Sequence, residues 1–234
     1  MQVVRNLNEA SPEHSTLGQW YDGTDGLFTV AFAEGPEGGC GPGALIGHNL
    51  VDGSCRTFVG EENGYPYPPS NTHMSALSHL NPGWVAVSSI GVANWGQTEN
   101  AGQELLDNEL YLVDTRPNGD VCRIGHHRSW GRGGSMGYWA EPHVVISPSG
   151  TRILYGSDWQ GSGSVDSYVV ELPAHTRAEP TDFSEGWKPT PAPAAPNEAP
   201  SIRTTQPIAV SASFGACSHC WSLTAGSLLI LLFV

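Results

Sequence analysis

Ile146-Ser-Pro-Ser-Gly-Thr-Arg-Ile-Leu-Tyr-Gly-Ser-Asp-Trp159 decides the fold. Pro148-Ser-Gly150 is a turn signal, because proline presets one backbone angle and glycine accepts the left-handed conformation that closes a turn. The run that follows, Arg152-Ile-Leu-Tyr-Gly156, is short, rich in β-formers and ends in Ser-Asp, so it reads as a strand. Before the turn stands a second run, His143-Val-Val-Ile-Ser147, and after it a third, Val165 to Leu172.

The same grammar extends towards the N-terminus. Leu27 to Phe32 follows Asp25-Gly26, and Ala44 to Val51 leads into Asp52-Gly53, from which Cys55 to Val59 returns. That spacing is a hairpin signal. Trp84 to Ile90 forms another strand, and Glu109–Asp114 pairs with Asp120–Ile124 across Arg116-Pro-Asn-Gly119. No stretch carries a helical period, so the expected class is all-β.

Composition agrees. The 234 residues include 29 Gly and 18 Pro, about one in five, and only 14% are charged. Coiled coils and helical bundles need the opposite balance. The net charge is −13, with Lys188 the lone lysine, which excludes a phosphate-neutralising surface and hence nucleic acid as a partner.

Three regions follow from the change of composition. Residues 1–177 carry the strands. Residues 178–213, including Lys188-Pro-Thr-Pro-Ala-Pro-Ala-Ala-Pro, cannot bury a core and read as a disordered Pro/Ala-rich linker. Residues 214–234 form an apolar tail, too short to span a bilayer but loosely fitting a removable anchor signal. This order is expected of an extracytoplasmic, surface-tethered domain attached to a membrane through its tail, with a misread gene end as the alternative. Cys40 and Cys55 flank one strand pair and can form a disulfide. Cys217-Ser-His-Cys220 lacks the second ligand pair of a structural zinc site.

A weak repeat links two segments. Thr72-His-Met-Ser-Ala-Leu-Ser78, Asn81-Pro-Gly83 and Trp84 to Ser89 parallel Pro142-His-Val-Val-Ile-Ser147, Pro148-Ser-Gly150 and Arg152 to Ser157. The second copy resembles the repeat of TolB-like (PD40, WD40-like) β-propellers, with Ser149 where that family usually has Asp. The resemblance covers about 30 residues and implies a partial propeller of about three four-stranded blades. Propellers usually close with four to eight blades. The chain is therefore expected to be the C-terminal part of a larger propeller, lacking N-terminal blades, or to assemble with copies of itself.

In a propeller the first strand of each blade lines the central channel, which would bring His73 and His143 to one channel mouth. Glu141 joins them, and His126 and His127 lie in the connection between. Imidazoles with a carboxylate suit a divalent metal such as zinc or manganese. The placement is similar to that in oligogalacturonate lyases, propellers that hold a metal beside a uronate. It implies His73, His143 and Glu141 as metal ligands, with His126 or His127 as a third histidine ligand or catalytic base. The alternative gives these histidines a structural task, hydrogen-bonding at strand starts.

Trp130, Tyr138 and Trp139, with Tyr65 and Tyr67, are candidates for an aromatic platform binding a sugar ring or an extended peptide, and equally for core packing. Gly133-Gly-Ser-Met-Gly137 matches a nucleophile-elbow string, without the strand and helix that the elbow requires. The expected function is a binding module for a polysaccharide or protein ligand. The alternatives are a metal-dependent polysaccharide lyase and a non-catalytic scaffold.

Overall fold

The computed structural model describes residues 12–33, 40–65, 73–89, 105–130, 136–172 and 230–232. Within them the chain is all-β: three antiparallel sheets of four strands each, none of which closes on itself. The linker region 178–213 lies outside the described residues. No helix among the described residues is long and apolar enough to cross a membrane.

The first sheet takes its strands in order: β1 (Pro12–Gln19), β2 (Asp25–Ala31), β3 (Gly43–Asn49) and β4 (Cys55–Val59). The Asp52-Gly53 turn joins the last two, with Gly53 at φ 75° and the Asn49 side chain accepting from the Val51 amide. Cys40 and Cys55 are joined by a disulfide. The second sheet contains β5 (His73–Ser75), β6 (Trp84–Ser89), β7 (Glu109–Asp114) and β8 (Val121–His126). The third contains β9 (Val145–Ile146), β10 (Arg152–Ser157), β11 (Asp166–Glu171) and, on the far side of β11, β12 (Ile230–Leu232).

Alternation decides how the sheets stack. Along β6, Val85 and Val87 point one way, into a core with Phe28, Val30, Leu45 and Phe58 of the first sheet. Trp84 and Ala86 point the other way, joining Ile146, Ile153, Tyr155, Tyr168 and Val170 of the third. The second sheet is thus the middle layer. Its strands β6 and β7 are buried at every position, as a continuous apolar run requires.

The first strands of the sheets adjoin, β1 against β5 and β5 against β9. Close approach sets this. A Cβ at Gly18 would stand 2.3 Å from the Ala76 Cβ, so only glycine lets β1 lie this near the end of β5. Hydrogen bonds sew the layers together: the Gly83 amide donates to the Gln19 carbonyl, the Leu80 amide to the Pro148 carbonyl, and the Ile146 amide to Ser75 Oγ.

Candidate metal centre

Each sheet delivers one histidine at or beside the start of its first strand. His73 opens β5. His143 stands two residues before β9, and His14 lies near the start of β1. The rings meet: His14 stacks on His73 with centroids 4.0 Å apart and planes inclined by 21°, and His73 faces His143 at 3.8 Å.

Local backbone geometry aims two of them. The β1–β2 register slips between Glu13 and Thr16, so His14 sits in a bulge, a device that redirects a side chain out of the regular alternation. His14 and His143 both hold left-handed backbone angles, φ 44° and 46°, which are uncommon for residues with a side chain. His143 is placed by a short 3-10 turn, Gly137–Ala140, followed by Glu141 and Pro142. The Glu141 amide closes that turn on the Tyr138 carbonyl, and the Gly156 amide donates to the Pro142 carbonyl.

Glu141 brings the charge. Its side chain is wholly buried, and its Oε2 lies 3.0 Å from His73 Nε2. The potential ligand atoms of His73, Glu141 and His143 all fall within 4.8 Å of one another. Zinc bonds to imidazole nitrogen and carboxylate oxygen of about 2.0–2.2 Å put neighbouring donors roughly 3–4 Å apart, a spacing close to that of this set. Partial burial and the neighbouring His73 hold the His143 imidazole below the usual histidine range, which keeps it neutral and ready to ligate at pH 7.

The other residues singled out from sequence separate into distinct places. His127 is fully buried, accepts from the Ser129 amide through Nδ1, and has Nε2 3.1 Å from the Ser89 carbonyl. Burial pushes its pKa down to about 4. With both nitrogens committed, it holds the β8 exit against β6 and has no free atom for ligation or proton transfer. His126 sits 4.0 Å from Glu109, whose two carboxylate oxygens both accept from Arg123. No contact among the described residues joins either histidine to the cluster.

Among the aromatics, Tyr138 stands edge-on to His143 at 6.1 Å and to Trp139 at 5.8 Å. Trp139 is 76% exposed. Trp130 donates its amide to Asp158 and its ring covers Gly161, next to Ser129, whose hydroxyl donates to the Ala140 carbonyl. Tyr65 packs against the core between the first and second sheets. Tyr67 and Ser135 lie outside the described residues.

His14 is the residue that the sequence reading missed. Its signal is Ser11-Pro-Glu-His14, a near match to Ala140-Glu-Pro-His143, in which proline and glutamate precede the histidine in either order. The strand behind it, Pro-Glu-His-Ser-Thr-Leu-Gly-Gln, is too polar to register as apolar alternation. No family model and no curated protein matches this sequence.

Proposed function

We propose that the chain is a three-blade arc of a β-propeller whose channel face carries a divalent-metal site for an acidic polysaccharide. The single observation behind this is the convergence of His73, His143 and the buried Glu141 from two sheets, with their donor atoms within 4.8 Å. A propeller arrangement is supported by three four-stranded sheets whose first strands adjoin. An extracytoplasmic setting is supported by the Cys40–Cys55 disulfide, since such bonds persist in oxidising compartments.

Two imidazoles and one carboxylate suit zinc or manganese and leave positions on the ion for a ligand carboxylate. Tyr138 stands beside His143 and the exposed Trp139 beside Tyr138, where an aromatic face can stack on a pyranose ring while the cation takes the uronate oxygen. The partner is therefore a uronate-containing polysaccharide. Isothermal titration with oligouronates, with manganese or with chelator, tests the reading. Binding that requires metal and is lost in His143→Ala and in Trp139→Ala supports it. Equal binding in chelator overturns the metal, and no binding of any oligouronate overturns the ligand.

A second reading, uronate lyase, is favoured by His14. It stacks on His73 and lies outside the three-donor set, which makes it the candidate for the base in this reading. In that reaction the base removes the proton on C5, the C4–C5 double bond forms, and the C4–O bond breaks with its oxygen taking up a proton. The metal would stabilise the negative charge that develops on the carboxylate. Ultraviolet absorbance of the unsaturated product, present in wild type and absent in His14→Ala with metal binding intact, separates the lyase from the binder.

A further inference from the structure

The first two sheets are completed by the segment that directly follows: β4 comes after residues 50–54 and β8 after residues 115–120. The third sheet is different. Its fourth strand, β12, arrives only after residues 172–229 and comes from the apolar tail. It pairs antiparallel along the outer edge of β11, with Tyr168 opposite Leu232, Val169 opposite Leu231, and Val170 opposite Ile230.

We propose that the apolar C-terminal segment serves as a strand donor, with Ile230–Leu232 covering the edge of β11 and keeping that edge from pairing with a second copy of the chain. An uncovered edge strand presents a row of unpaired amides and carbonyls, a template for association. The β11 edge is a strong one. Tyr168 and Val170 are buried in the core shared with the second sheet, so the strand is rigidly held and its outer backbone groups are preorganised for a partner.

The register adds a second argument. Val145 stands opposite Leu154, Leu154 opposite Val169, and Val169 opposite Leu231. Four apolar positions thus run in one row across all four strands, and the tail supplies the fourth. Cross-strand neighbours of this kind are the unit of sheet stabilisation.

The test is hydrogen exchange on the full chain and on a chain lacking residues 226–234, read at peptides covering Tyr168–Val170. The inference expects exchange there to accelerate at least tenfold on truncation, while peptides covering β7 stay unchanged. It also expects the truncated chain to move from monomer to dimer in light scattering. The double substitution Ile230→Pro and Leu232→Pro keeps the full length and most of the apolarity, and is expected to reproduce the exchange effect. Unchanged exchange in both variants overturns the inference. So does partition of the intact chain into phosphatidylcholine vesicles with β11 amides unprotected, which would put the tail in lipid.

Discussion

The middle sheet and the third sheet are built to one plan and buried differently. In the middle sheet, every residue of β6 and β7 is buried, because one face meets Phe28 and Leu45 and the other meets Ile153 and Tyr168. In the third, β10 alternates: Ile153 and Tyr155 face the middle sheet at 0% and 2% exposure, whereas Leu154 is 44% exposed. Sequence patterning follows neighbour count. Trp84-Val-Ala-Val is apolar on both faces, while Arg152-Ile-Leu-Tyr carries a charge at its start and its alternation survives. The first sheet differs again, since Thr29, Ile46, His48 and Thr57, on its face away from the middle sheet, are all nearly inaccessible. The stack is covered on one side and open on the other, at the third sheet.

One truncation in two places gives the largest test of this contrast. Leu110→Ala, at 2% exposure between the second and third sheets, is expected to cost roughly 2–5 kcal/mol in urea unfolding. The same chemistry at Leu154 belongs at the bottom of the scale. A cost at Leu110 no larger than at Leu154 would break the comparison.

Next comes pH. His127 fastens the exit of β8 to Ser89 at the end of β6, and burial holds its pKa at about 4 against an ordinary value of 6.5. The native state refuses the proton that the unfolded chain accepts, so stability is complete above about pH 6.5 and falls as pH drops towards about 4. The loss reaches about 3 kcal/mol over that window. Urea midpoints across the window measure it, and NMR titration of the His127 ring assigns it. A midpoint that does not move with acid would show that His127 is not held neutral in the middle sheet.

Metal comes third. An ion held by His73 of the second sheet and by Glu141 and His143 beside the third would tie the two together. Zinc at a hundredfold excess over its Kd is expected to stabilise the fold by about 2.7 kcal/mol. His143→Ala is expected to remove that gain and to lower the metal-free melting temperature only slightly, because the His143 ring is only partly buried. The smallest effect is Leu154→Ala, below about 1 kcal/mol, since its side chain faces outward.

The strands with apolar runs were legible in sequence because burial on both faces, or clean alternation on one, leaves a mark. Trp84–Ser89, Glu109–Asp114 and Arg152–Ser157 all stand where the sequence places them. β1 was not legible. Its Pro-Glu-His-Ser-Thr-Leu-Gly-Gln holds its place through a bulge, the close packing of Gly18 on Ala76, and pairing with β2, none of which needs hydrophobic side chains. For the same reason the site was half legible. His73 and His143 carried the repeat, whereas His14 lay in a strand that did not look like one. The separation of His127 from the cluster depends on the direction in which β8 exits, and residue type carries no record of that.

The most direct test is native mass spectrometry of the full chain, purified without chelator and then given zinc or manganese. The metal site predicts one bound ion per chain in wild type and none in a His73→Ala, His143→Ala double variant that remains folded. Ions retained by the double variant, or a wild type that stays metal-free under saturating zinc and manganese, would contradict it.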